Sequence, residues 1–256
     1  MMSKRHDSIG VKQVIPYEWI RKTANLVLAG MSAKEVRQEL HAALVAQGKH
    51  AQRGERSSWT RTFLVNNLMA VWPSPPVELT AFRDRALCTL RDYPDHELVT
   101  HWAMISSVYP FWFNTARQTG RLLNLQAQTT QAQIVSRLKE QYGDRQTVSR
   151  YARFVVRSFV DWGVLKDAGT AGCYENANPV SGLNRHLTTL LLEAALLATP
   201  EGKAPLTLLL GHPAFFPFHL AAMSGESFID DSGCLQLARY GFGDQFLALR
   251  CGRVTN

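Results

Sequence analysis

The sequence predicts a mainly α protein in three segments. These are a helical N-terminal module (1–76), a helical linker running into a helix-turn-helix with a β-hairpin (77–180), and a small α+β region (181–256). Three observations carry that prediction. Apolar residues recur at three- and four-residue spacing along most of the chain, the period of a helix with one buried face. Runs of strand character are short and fall after residue 163. Capping residues, glycines and prolines mark where helices start and stop. With 46% apolar and 19% charged residues, the 256-residue chain has enough apolar surface for a core and lies outside the range of disordered compositions.

Residues 1–15 read as a frayed arm. After Pro16, Trp19, Thr23, Leu26 and Val27 share one helical face, and Gly30 provides the C-terminal stop. Ser32 and Glu35 form a capping box, each side chain reaching the other's backbone N–H. The helix they open turns Val36, Leu40, Ala43 and Leu44 to one side and stops at Gly48. The stretch KHAQRGERSS (49–58) is a polar, basic loop. A third helix (59–71) ends before Pro73, Pro75 and Pro76, which cannot continue it. This layout fits a small helical DNA-binding module and equally a plain three-helix bundle. Residues 77–92 form a further helix through Leu79, Phe82, Ala86 and Leu90. Pro94 starts another, which passes Leu98, Trp102 and Ile105 before Pro110 interrupts. Phe111, Trp112 and Phe113 read as core anchors, since aromatic side chains bury large areas.

From residue 113 the pattern becomes more specific. A helix over 113–125 offers Ala116, Gly120 and Leu123 for close packing. Thr130 and Gln133 make a second capping box, opening a helix that buries Ile134, Leu138 and Tyr142. Gly143 ends it, and Asp144 is placed to N-cap the next helix (145–161). Two helices joined by so short a glycine-containing turn are a helix-turn-helix. The second has two faces. Val148, Ala152, Val155, Phe159 and Trp162 recur at core spacing, whereas Gln146, Arg150, Arg153 and Arg157 line the opposite side, with Ser149 beside them. Arginine suits guanine edges and phosphates, glutamine adenine, serine phosphate. A recognition helix lays its N-terminal residues in the major groove. Arg145, Gln146, Ser149 and Arg150 are therefore the candidate base readers, and Arg153 and Arg157 the candidate phosphate contacts. Gly163 stops the helix, Val164-Leu165 begins a strand, Asp167-Ala168-Gly169 turns, and Cys173-Tyr174 returns. Lys166 is the hairpin's one cation.

Charge agrees with this division. The chain carries +7 overall, with a pI near 9.4. Residues 117–166 hold 9 Lys/Arg against 3 Asp/Glu, whereas residues 167–256 hold 5 against 8. A basic middle followed by an acidic tail fits a nucleic-acid-binding module joined to a region with another task.

The run Arg157-Ser158-Phe159-Val160-Asp161-Trp162-Gly163-Val164-Leu165 resembles the end of a recognition helix running into the wing of winged helix-turn-helix proteins. The broader layout, with the helix containing Ala24-Asn25-Leu26-Val27-Leu28-Ala29-Gly30 and an Arg-containing helix downstream, resembles the BrxA family of bacterial BREX phage-defence systems. These resemblances imply a bacterial, defence-associated, non-enzymatic DNA binder or a transcription regulator. A fainter echo links residues 63–69, followed by Trp72, to residues 154–160, followed by Trp162. Chance similarity of two amphipathic helices is the simpler account. If real, the echo makes residues 1–76 a second helix-turn-helix presenting Arg56, Arg61 and Asn66 to DNA.

The C-terminal segment begins with an apolar helix (183–198) burying Leu187, Leu190, Leu191, Ala194 and Leu197. His212 and His219 flank a Pro- and Phe-rich turn. Two histidines seven apart, with prolines between and no third ligand at a usual spacing, predict packing and not a metal centre. Residues 234–240 and 245–249 alternate as strands about a Gly241-Phe242-Gly243-Asp244 turn. This region suits a protein partner or homodimerisation.

No P-loop, G-x-S-x-G or H-E-x-x-H motif occurs, so the sequence predicts neither an enzyme nor a cofactor. Asp230-Asp231 reads as a solvated pair, although spacing leaves a metal-dependent activity open. Cys88, Cys173, Cys234 and Cys251 make no C-x-x-C pair, the N-terminus is polar, and the apolar run 187–198 contains Glu193 and is too short for a bilayer. The expectation is a cytoplasmic, non-membrane protein whose partner is double-stranded DNA, the alternative being a winged-helix scaffold that docks a partner enzyme.

Overall fold

The computed structural model describes residues 5–50, 57–229, 234–240 and 244–250. Helices build the first half: α1 (Tyr17–Leu28), α2 (Ala33–His50), α3 (Ser58–Val71), α4 (Thr80–Asp92), α5 (Glu97–Val108) and α6 (Pro110–Leu123). Then come β1 (Gln128–Thr130), α7 (Gln131–Tyr142), α8 (Gln146–Asp161), β2 (Leu165–Asp167) and β3 (Cys173–Asn176). The last stretch contains α9 (Arg185–Leu197), β4 (Lys203–Pro205), α10 (Leu206–Leu210), β5 (Leu235–Tyr240) and β6 (Asp244–Leu249). The fold is mainly α, with a small α+β region at the C-terminal end.

The local signals act as the sequence predicts at most helix ends. Gly30, at φ +83°, follows α1, where its N–H reaches the Val27 carbonyl and that of Met31 reaches Leu26. That pair of bonds satisfies carbonyls the helix leaves open, in a conformation costly for any residue with a Cβ. The Ser32–Glu35 box opens α2, with the Ser32 N–H donating to Glu35 Oε2 at 2.8 Å. Two of the boundaries that differ from expectation have a clear cause. Gly48 lies within α2, which runs on to His50, because one glycine costs a helix only about 1 kcal/mol relative to alanine. Pro110 opens α6 at its first position, where the missing N–H is not needed, so that helix begins three residues earlier than predicted.

At the centre lies α5. Every residue from Val99 to Val108 is buried, polar Thr100, His101, Ser106 and Ser107 included. Helices α3, α4, α6 and α9 pack around it. Trp102 on α5 meets Trp112 of α6, Phe159 and Trp162 at the end of α8, and Phe216 and Phe218, all with ring centroids 5.1–6.2 Å apart. One contiguous cluster of buried side chains runs from Val11 to Leu247 and takes in all three sequence segments.

The arm predicted to fray is part of this core over its described length. Val11 and Ile15 are fully buried. The Arg5 guanidinium donates to the Ser107 and Leu197 carbonyls and pairs with Glu78. Ile15 is bonded on both sides: its N–H donates to Ser158 Oγ at 2.9 Å, and its carbonyl accepts from Trp162 Nε1 at 2.8 Å. Composition alone hid this, because the described part of the arm holds only four apolar side chains of any size, Ile9, Val11, Val14 and Ile15, and the hydrogen-bond partners of Ile15 lie some 140 residues away.

Asn184 caps α9, its Oδ1 accepting from the Leu187 N–H. Beyond α9, β4, β6 and β5 form an antiparallel sheet in that order, with Leu237 opposite Leu247. The hairpin's predicted turn residues Gly241, Phe242 and Gly243 lie outside the described residues. The Pro- and Phe-rich turn packs on α6. His212 stacks on Phe113 at 4.8 Å and accepts the Ala214 N–H at Nδ1, while Phe215 and Phe218 are buried. Gly120 of α6 lies against the Pro213 carbonyl, so close that a methyl group there would overlap it.

Two measurements check this packing. Gly120→Ala overpacks a backbone contact, with an expected loss of about 1–3 kcal/mol and a melting temperature several degrees lower. Acid should also weaken the fold. Burial pushes the pKa of His101 down to about 3 and that of His212 down to about 4. The unfolded chain takes up both protons near pH 6.5 and the folded one resists, so stability is complete above about pH 6.5 and falls toward pH 4. His212→Asn keeps an acceptor for Ala214 and removes one titration; its melting temperature should drop less than the wild type's between pH 7 and 4.5, and an equal drop would show that His212 contributes nothing.

Candidate nucleic-acid interface

The region from α6 to β3 is a helix, a short strand, two helices and a hairpin. Its sheet runs β1–β3–β2, antiparallel throughout, with Thr129 opposite Tyr174 and Lys166 opposite Glu175. Strand β1 was not legible in the sequence. Its three residues, Gln128, Thr129 and Thr130, carry no apolar alternation, and it exists because β3 presents an edge whose polar groups need partners. Thr130 then caps α7: its Oγ1 accepts from the Gln133 N–H at 3.1 Å, and Gln133 Oε1 accepts from the Thr130 N–H at 2.8 Å.

The turn into α8 differs from expectation in one respect. Gly143 adopts φ +81° as a terminator should, but Asp144 does not cap α8. Its carboxylate pairs with Lys139 Nζ at 2.7 Å, back on α7. Arg145 holds the N-cap position without a side-chain cap bond. Its guanidinium bends back instead, Nε and Nη2 both donating to the Tyr142 carbonyl at 3.2 and 2.7 Å. Arg145 thus closes the open end of α7 and, as the structure has it, is engaged inside the turn.

Helix α8 is held along one side and at its far end. Val148, Ala152, Val155, Val156 and Phe159 are buried, with Phe159 edge-on to Trp112 at 4.9 Å. Near the C-terminus, Ser158 accepts from Ile15, the Asp161 carboxylate accepts the Tyr17 N–H at 2.7 Å, and the Trp162 indole donates to Ile15. Gly163, at φ +69°, turns the chain into β2.

The opposite side is bare. Gln146, Arg150, Arg153 and Arg157 are exposed and Ser149 is half-buried, so the structure brings five of the predicted residues onto one face. No acidic residue occupies the first turn, which leaves the positive end of the helix dipole unopposed there. Arg150 lies over the Phe154 ring at 5.9 Å from its centroid, and Tyr151 stacks on the same ring. A shallow hollow on this face is lined by Gln146, Thr147, Ser149, Arg150, Tyr151 and Arg153. Thr147 and Tyr151 were missed in the sequence; each follows a stripe residue by one position, and that adjacency was the available signal. Among the described residues neither Arg150 nor Arg153 meets a carboxylate, whereas Arg157 Nη1 pairs with Asp167 Oδ1 at 2.7 Å.

The remaining predicted positions lie elsewhere. Arg61, half-buried, and Asn66, exposed, are on α3, where Asn66 Oδ1 accepts from Arg37 Nη1 at 2.8 Å. Burial, then the nearby charges of Arg37 and Arg61, lower the pKa of His41 below its ordinary value. Arg56, Cys251 and Asp230-Asp231 lie outside the described residues. Cys88 and Cys173 are free thiols. Among the described residues no three metal-ligating side chains gather, and no helix is long and apolar enough to cross a membrane.

No protein-family model, curated protein or solved structure matches this chain. The geometry of the α8 face therefore stands by itself.

The capping box and the bare face make opposite predictions for stability. Thr130→Ala should cost about 1 kcal/mol by removing a cap. Arg153→Ala should change stability by no more than about 0.5 kcal/mol. Chemical denaturation of the two variants checks both.

Proposed function

We propose that the chain is a non-enzymatic protein that binds double-stranded DNA in the manner of winged-helix proteins, with α8 in the major groove. The observation that carries this reading is the pair Arg150 and Arg153. Both are exposed, both lack a carboxylate partner among the described residues, and both project from the second helix of a helix-turn-helix whose other side is locked into the core. An amphipathic helix so held keeps its exposed side chains in a defined register, which base reading requires. Gln146, Thr147, Ser149 and Arg150, near its start, are the base-reading set. Arg153 meets phosphate, and its role is affinity without sequence preference. The hairpin, uncharged at its tip, contributes less than the helix.

The reading extends to a role as a bacterial regulator or as the DNA-engaging subunit of a phage-defence assembly. In that role the C-terminal region, with its β4–β6–β5 sheet, meets a protein partner or a second copy. Neither enzymatic activity nor a cofactor is part of the proposal.

Binding to random duplex DNA across a salt titration tests it. The wild type should bind with affinity falling steeply as salt rises. Arg150→Ala with Arg153→Ala should reduce the slope of log K against log salt by about 2, since each neutralised phosphate contributes about 0.9. The double variant's melting temperature should stay near the wild type's. Wild-type protein that fails to bind even at low salt would turn the search to a scaffold that docks a partner enzyme.

A further inference from the structure

We infer that Asp167, at the end of β2, limits how strongly α8 binds DNA of any sequence by holding Arg157 in an ion pair. The inference rests on the DNA-binding reading above and adds to it a residue that sets specificity.

Of the three arginines on the exposed face of α8, Arg157 alone has a carboxylate against it among the described residues: Nη1 lies 2.7 Å from Asp167 Oδ1. The pair is not a chance meeting of two loose side chains. Asp167 is fixed opposite Tyr174 by the antiparallel ladder of β2 and β3, and β3 is backed by β1. Arg157 is in the penultimate turn of α8, where bonds from the Ile15–Tyr17 strap to Ser158 and Asp161 hold the backbone. The other charges on the hairpin strands are Lys166 and Glu175, which face one another across the ladder. With Asp167 included, the hairpin carries two carboxylates and one cation, an unusual balance for an element placed beside a polyanion.

The physics follows from the geometry. A cation in contact with a carboxylate has a much weaker field at a phosphate several ångströms away than a lone cation has, so Arg157 as found adds less to counterion release. Both partners are about half exposed, at 44% and 54%. Such a pair holds by about 1 kcal/mol or less, so a well-placed phosphate competes with it and a poorly placed one does not. Asp167 thereby subtracts from sequence-independent binding and leaves the base-reading start of the helix untouched, which raises the ratio of specific to non-specific affinity.

The test uses the full chain, random duplex DNA and salt titration, with melting curves to verify folding. Asp167→Asn should raise affinity about two- to fivefold, the worth of an exposed pair, and steepen the salt slope by about 0.9. In an Arg157→Ala background the same substitution should add nothing. If the wild type binds and Asp167→Asn is unchanged or weaker, this inference is overturned while the DNA reading stands. A gain that persists without Arg157 overturns it too, by showing a general charge effect. A wild type that does not bind DNA at all removes the reading on which both rest.

Discussion

A helix with no face it can show to water must be covered on every side, and α5 is such a helix. Ten consecutive buried residues, Val99 to Val108, oblige the chain to bring material from both ends around them. From the first half of the chain come α3, α4 and α6, and from beyond it the end of α8 and α9. Trp102 makes this concrete, since its indole touches rings contributed by α6, by the end of α8 and by the turn near residue 216. Close packing of large rigid rings leaves few alternative arrangements, so these elements are fixed together.

That constraint reaches the candidate interface through two links. Phe159 anchors the buried side of α8 against Trp102 and Trp112, and the strap at Ile15 to Tyr17 grips its C-terminal end through three hydrogen bonds. One acceptor in the grip is charged. Asp161 sits at the N-terminal end of α1, where a carboxylate is favoured by the helix dipole and by open N–H groups. A helix tied on its inner face and at its end presents its outer face without lengthy rearrangement. This preorganisation is what a recognition surface needs and what a solvated helix lacks.

Partnering of charge distinguishes the arginines more sharply than their spacing does. In the sequence, only position along the helix separates Arg145 and Arg150, candidate base readers, from Arg153 and Arg157, candidate phosphate contacts. In the structure Arg145 is absorbed by the Tyr142 carbonyl, Arg157 is paired with Asp167, and Arg150 rests on an aromatic ring. Arg153 has neither carboxylate nor ring among its described contacts. An arginine's effect on a polyanion depends on what already neutralises it, and periodicity carries no information about that.

Much of the local structure was legible in the sequence because its causes are local. Ser32 with Glu35, Thr130 with Gln133, and the glycines at 30, 143 and 163 act within one turn of the chain, so their effect follows from residue type and spacing. The two faces of α8 were legible for the same reason: a 3.6-residue period separates buried from exposed positions whatever the partner. Other features depended on residues far away. The arm at 5–16 is ordered by Ser107, Ser158, Trp162 and Leu197; β1 forms only because β3 lies beside it; and Asp144 turns from the expected cap to Lys139. The sequence by itself determined where most helices lie and which of their faces are apolar, since those are matters of backbone hydrogen bonding and period. Only the tertiary structure decided which cations remain unpaired and which segments share a core, because both depend on contacts between residues that are distant in the chain.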